Sequence, residues 1–259
     1  MTKNHLTENW SYRLVESQFG IEDVGVRFRR SRSGPEEDFV HSFLNKLRCQ
    51  GQPDLNLTIF KEPCLETGSP DLVGVIWHVP TAERWNENRF LLQKDDLRLM
   101  HHIVHTEDTT ISSIKRLFRT RSVDSIDRLN AANMIAVSRG AISPKPLSTL
   151  YAVRHIFAIE AKISAWRMAL RQAFLNRWFA TSSHVLLPQM PSSVSMFSEA
   201  RALGVSVWGP RVSKLTLNLP STPSDPLSYA SWLFNEWAWK VWAQSSPTYA
   251  ESKHPLLDQ

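Results

Sequence analysis

Two ionisable residues of opposite charge, Glu160 and Lys162, sit two positions apart in the apolar run Ile156-Phe157-Ala158-Ile159-Glu160-Ala161-Lys162-Ile163. Alternate side chains of a strand share a face. Glu160 and Lys162 therefore project together, while Ile159, Ala161 and Ile163 point into the core. Two charges on a buried strand cost free energy unless they serve something, and a metal site is the leading candidate. The same spelling recurs in the polar tail as Glu251-Ser252-Lys253, a chance match without strand character. The triplet acquires meaning only from its neighbours.

Those neighbours read as alternating elements. Ser33-Gly34-Pro35-Glu36-Glu37-Asp38 is a helix start, with Pro early and acids in the first turn, where they suit the helix dipole. The helix runs on through Phe39, Val40, Phe43, Leu44 and Leu47 at amphipathic spacing. Strands are expected over 55–60 and 72–79, the second after the turn Thr67-Gly68-Ser69-Pro70. From 156 the order is strand, helix (165–179), strand (184–187), helix (194–203) and a short strand after Gly204. That order favours an α/β layer with some parallel pairing. Trp232, Trp237, Trp239 and Trp242 mark an amphipathic C-terminal helix over 228–244, read as core or self-association.

Residues 91–150 differ in character. Helices are expected over 95–105, 111–118 and 123–135, followed by a hairpin over 137–142 with Arg139-Gly140 in its middle. Three short helices and a wing match a winged helix-turn-helix module. Its polar third helix carries Ser125, Asp127, Arg128, Asn130 and Asn133. His101, His102 and His105 lack the zinc-protease pattern and read as surface or phosphate-proximal residues.

Charge and composition narrow the partners. The 259 residues carry a net charge of +5, with a pI near 9.4, which favours a polyanion. Basic residues cluster at Arg27, Arg29, Arg30 and Arg32 and again at Lys115, Arg116, Arg119 and Arg121. Either cluster can serve phosphate contact or simple solvation. No apolar stretch approaches the roughly 18–20 residues that span a bilayer, and no apolar h-region follows Met1, so neither membrane insertion nor a signal peptide is expected. Cys49 and Cys64 have no zinc spacing, and a reducing, cytoplasmic setting is expected. No Walker loop, dinucleotide fingerprint or nucleophile elbow is present.

Taken in order, a helical acid (Glu36 or Glu37), Pro70-Asp71 at the head of a strand, and Glu160-Ala161-Lys162 on a later strand form one pattern. The segments Glu66-Thr67-Gly68-Ser69-Pro70-Asp71-Leu72-Val73-Gly74-Val75 and Ile156–Lys162 resemble the PD-(D/E)xK nuclease superfamily, over about residues 33–80 and 151–210. The resemblance implies an α/β restriction-endonuclease-like fold, a central mixed sheet flanked by helices. It implies that Asp71 and Glu160 bind Mg²⁺ or Mn²⁺, with the carbonyl of Ala161 as a third ligand and Glu37 (or Glu36) completing the site. Lys162 would orient or deprotonate the attacking water, and Gln172 on the following helix would face the site.

Asp71 and Glu160 are 89 positions apart, from 71 to 160. A structureless loop of that length would count against pairing their strands. An independently folding insertion removes the difficulty. The expected organisation is therefore a first nuclease part over 1–90, an inserted winged helix-turn-helix over 91–150, and a second nuclease part over 151–259 that carries the Trp-rich helix. Lys115, Arg116, Arg119, Arg121, Arg128 and Arg139 are the insert's candidate nucleic-acid contacts. The expected function is a metal-dependent DNA endonuclease of restriction, phage defence, transposition or repair, acting as a homodimer or beside a motor ATPase. A catalytically inactive DNA-binding or assembly subunit and an RNA nuclease are the alternatives.

Overall fold

Leu72-Val73-Gly74-Val75-Ile76-Trp77 is buried at every position, so this strand must be covered on both faces. In the computed structural model of the chain it is the fourth strand of a six-stranded mixed sheet. The structure describes residues 9–10, 12–16, 25–30, 33–50, 52, 54–107, 109–118, 122–190, 194–210, 214–215, 219 and 222–245. Arg32, Arg119, Arg121 and the tail triplet at 251–253 lie outside the described residues.

Along the chain the elements are β1 (Asn9–Trp10), β2 (Arg13–Val15), α1 (Pro35–Lys46), β3 (Arg48–Gln50), β4 (Leu55–Lys61), β5 (Leu72–His78), α2 (Val79–Ala82) and a 3₁₀ turn at Glu87–Leu91. There follow α3 (Lys94–His105), α4 (Ile111–Phe118), α5 (Ser122–Ala131), β6 (Ile135–Ser138), β7 (Ala141–Pro144) and α6 (Leu147–Leu150). The chain ends with β8 (Val153–Ala161), α7 (Trp166–Asn176), β9 (Ser182–Leu186), α8 (Val194–Leu203), β10 (Ser206–Trp208), β11 (Lys214–Leu215) and α9 (Tyr229–Ala243).

Two compact units divide these elements. The first comprises Met1–Phe19, Arg27–Val79 and Val153–Leu227. Its sheet has the order β10-β9-β8-β5-β4-β2. β4, β5 and β8 pair antiparallel, while β8, β9 and β10 run parallel. Helices cover both faces. Val40, Phe43, Leu44 and Leu47 of α1 and its C-terminus pack with Leu72, Phe157, Ile159 and Ala161 on one face. Ala169, Leu170 and Ala173 of α7 pack with Val185, Met196 and Ala200 on the other. At the centre, Gly74 faces Phe157 across the β5–β8 ladder. A Cβ at Gly74 would meet the Phe157 ring at 1.9 Å, so the close approach requires glycine.

The second unit comprises Gly20–Val26, Pro80–Ala152 and Ser228–Gln259. In it three helices, α3 to α5, precede the β6–β7 hairpin, whose turn is Arg139-Gly140 with both residues at positive φ. Thr110 bridges Ala141, giving the hairpin a short third edge. The chain leaves α5 at Ala131 rather than continuing helical to 135, because Asn133 takes a left-handed φ of 55° and Met134 N–H bonds back to the Leu129 carbonyl. The Trp-rich helix α9 belongs to this unit, not to the sheet with which the sequence reading grouped it. It is also not amphipathic. Buried positions surround it, including Glu236 and Lys240. Glu236 pairs with the buried Arg89, and Lys240 donates to the Phe90 and Leu92 carbonyls. These partners are what allow charged residues on an all-round buried helix.

Candidate active site

The register that places Leu72 opposite Ile159 puts Asp71 beside the Glu160–Lys162 end of β8. One oxygen of Asp71, Oδ2, accepts the Ala161 N–H at 2.8 Å. The same oxygen lies 3.9 Å from Lys162 Nζ. The two motif halves, far apart in sequence, thus meet at one corner of the sheet.

Glu160 is 3% exposed and turns toward α7, where Asn176 donates its side-chain amide to Glu160 Oε1 at 2.7 Å. Burial, and secondarily the charge of Asp71, push the Glu160 carboxyl up to about 8, against the pull of Asn176, Lys162 and Arg29. Asp71 is raised too, by burial first, with Lys162, the Ala161 N–H and Arg29 opposing.

Lys162 Nζ donates to Glu36 at 3.1 Å and to the Ala161 carbonyl at 3.0 Å. The adjacent Glu37 takes a different partner, accepting from Lys61 at 3.0 Å. Glu36 is thus the helical acid on Lys162, while Glu37 lines the same cavity from Lys61. That cavity holds about 780 Å³ and presents the basic Arg29, Arg30, Lys61 and Lys162 together with the acidic Glu36, Glu37, Glu62 and Asp71. Glu160 is not in its lining. Gln172, one turn before Asn176 on α7, has a buried Oε1 without a hydrogen-bond partner.

Three contributors were not visible as such in the sequence. Arg29 donates to Glu62 through Nε at 3.1 Å and reaches Asp71 Oδ1 at 3.3 Å. Glu62 has a left-handed φ of 53°, an uncommon conformation for a residue with a Cβ. Its N–H donates to the Asp71 carbonyl at 2.9 Å. Asn176 could have been found from its spacing, four positions after Gln172 on one helix face.

The donor set fits a hard divalent cation. Asp71, Glu160 and the Ala161 carbonyl, which accepts from Lys162, would offer oxygen donors, and Mg²⁺ is commonly held by one or two carboxylates with water completing the shell. Both carboxylates are raised chiefly by burial, even with Lys162 and Arg29 nearby. Among the described residues no three His, Cys, Asp or Glu side chains group as metal ligands, so a cation here would draw on carbonyl or water for the rest of its shell.

The second unit places its basic residues unevenly. Lys115 and Arg116 are exposed on α4, and Arg139 at the hairpin turn. Arg128 spends its guanidinium on Asp96, with both bonds at 2.8 Å. Beside it, α5 exposes Asp124 and Asp127. His101 stacks on His105 with ring centroids 4.3 Å apart, and its pKa falls to about 4 through burial and its histidine neighbours.

Comparison with family models, curated proteins and solved structures finds no match for this chain. Among the described residues no helix is long and apolar enough to cross a membrane.

Proposed function

We propose that the first unit is a metal-dependent nuclease that hydrolyses phosphodiester bonds of DNA, in the manner of the PD-(D/E)xK superfamily. The observation that carries this reading is that Asp71 meets the Ala161 N–H and Lys162, and lies close enough for its charge to raise the Glu160 carboxyl, despite the 89 positions that separate the two acids. Asp71 and Glu160 would hold Mg²⁺ or Mn²⁺, assisted by the Ala161 carbonyl. When bound, the cation would offset phosphate charge and acidify the attacking water.

The chain's own residues do the rest. Lys162 sets its amine between Asp71, Glu36 and the Ala161 carbonyl, where it orients water and meets charge developing on the phosphate. Asn176 fixes the Glu160 carboxylate. The basic side of the cavity, Arg29, Arg30 and Lys61, suits a polyanion. In the second unit, read as a winged helix, Lys115, Arg116 and Arg139 are the phosphate contacts. The acidic exposed face of α5 disfavours that helix as a groove reader. A second copy or a motor ATPase would supply the second cut or the translocation.

Nicking of supercoiled plasmid with Mg²⁺ or Mn²⁺ tests the proposal. Asp71→Ala and Lys162→Ala should each lower the rate by about 10²–10⁴. Unchanged rates in either variant would sink it. A second reading, an inactive DNA-binding or assembly subunit, is favoured by one observation: Asp71, Lys162, Arg29, Glu36 and Glu62 already form a closed ion network. It predicts DNA binding that persists in EDTA and no cleavage with any metal. Faster cutting of RNA than DNA would reassign the substrate.

A further inference from the structure

Asp71 is held by two cationic side chains, one on each oxygen. Lys162 belongs to the motif. Arg29 does not, yet its guanidinium reaches Oδ1 at 3.3 Å. The Arg29 backbone is pinned: its N–H donates to the Glu62 carbonyl at 3.0 Å, Phe28 bridges Pro63, and Cys64 N–H donates to the Arg27 carbonyl at 2.7 Å. The side chain is held at Glu62, which accepts from both Nε and Nη2, while Nη2 makes the longer reach to Asp71. It is 50% exposed and lines the cavity beside Arg30 and Lys61. A divalent cation on Asp71 would stand within a few ångströms of this guanidinium, and like charges at that range repel strongly.

We propose that Arg29 is a displaceable counter-ion: it neutralises Asp71 while no cation is bound, and on cation binding swings within the cavity to grip a phosphate of the nucleic acid. The inference rests on the nuclease reading of the same site. Arg29 is suited to both tasks. Its planar fork matches a carboxylate or a phosphate in two-point contact. Glu62, bonded to both Nε and Nη2, is the hinge partner: the swing gives up the Nη2 bonds to Glu62 and Asp71 and keeps the Nε bond. Metal and substrate binding are thereby coupled, because the residue released by one is the ligand of the other.

The test measures Mn²⁺ alone by calorimetry, without nucleic acid, on the full chain. Arg29→Met removes the competing charge and should tighten Mn²⁺ about tenfold or more. Arg29→Lys keeps the charge and should stay near the wild-type value. Duplex DNA binding is then measured against salt with Mn²⁺ present in a Lys162→Ala background, which limits cleavage. Adding Arg29→Met should reduce the slope of log K against log salt by about one phosphate contact. Unchanged or weaker Mn²⁺ binding in Arg29→Met, or equal tightening in Arg29→Lys, overturns the inference while leaving the nuclease reading standing. A wild-type chain that binds no Mn²⁺ overturns both.

Discussion

Asn176 donates its side-chain amide to Glu160 at 2.7 Å, and both residues are nearly excluded from solvent. The contact ties α7 to the acid of β8 and gives the buried carboxyl a neutral donor. Replacing Asn176 by Leu leaves that acid without the donor, at a cost of roughly 1–3 kcal/mol. Chemical denaturation should show the loss, and it should be larger at pH 9 than at pH 6, since the ionised form depends most on the amide.

Glu160 also sets a pH dependence. Its folded pKa, about 8, lies above its ordinary value of 4.5. Between these values the folded state binds more protons than the unfolded one, so stability falls as pH rises and levels off above about 8. His101, His155 and His184 are depressed to about 4, 4 and 3, each chiefly by burial. They act oppositely, removing stability as pH falls below 6.5. Metal-free melting temperatures should therefore peak near neutrality or slightly below. Glu160→Gln should flatten the decline between pH 6.5 and 8, and an unchanged decline would show that another group causes it.

Cation binding and that proton compete. A cation held by Glu160 must displace it, so apparent Mn²⁺ affinity should climb up to about tenfold per pH unit below about 8. Calorimetry in buffers of different ionisation enthalpy should count close to one proton released at pH 6.5. In Glu160→Gln both the proton release and the slope should fall, leaving the contribution of Asp71, whose carboxyl is also raised by burial.

Arg128 offers a test in the second unit. Its partner Asp96 is fully buried, so Arg128→Ala strands a charge and should cost roughly 3–5 kcal/mol. Lys115→Ala should leave stability within about 0.5 kcal/mol and instead weaken DNA binding at low salt. If Arg128→Ala melted like wild type, the residue would be free for phosphate after all.

At the sheet centre, Gly74→Ala should destabilise by at least about 1–3 kcal/mol through collision with Phe157. Adding Phe157→Leu should restore part of that loss. A lack of coupling in the double-mutant cycle would mean the strands part elsewhere.

Much of this was legible in the sequence because it is periodic or local. The apolar runs around 72–77 and 156–161, the helix start at Pro35 and the β-α-β-α-β order after 156 all reflect short-range patterning, and each element formed within a few residues of expectation. What was hidden is apposition. Glu36 and Glu37 are equivalent as letters, and only the seating of α1 on the sheet gives one to Lys162 and the other to Lys61. Arg128 looked like a phosphate ligand because Asp96, 32 positions away, is not a sequence neighbour. The Trp-rich helix reads as amphipathic from the spacing of its tryptophans, whereas the Arg89 ion pair and the Phe90 and Leu92 carbonyls let the intervening Glu236 and Lys240 be buried as well.

The β5–β8 ladder has a consequence in time. Trp77 pairs with Val153, so the segment from 80 to 152 must bring its two ends together before Asp71 can face Glu160. A chain that has left the ribosome only as far as residue 152 has Asp71 but neither Glu160 nor Lys162. Long-range pairing of this kind forms late. The corner formed by Asp71, Ala161 and Lys162 can therefore assemble only after residue 162 has been synthesised and the segment between the two strands has closed.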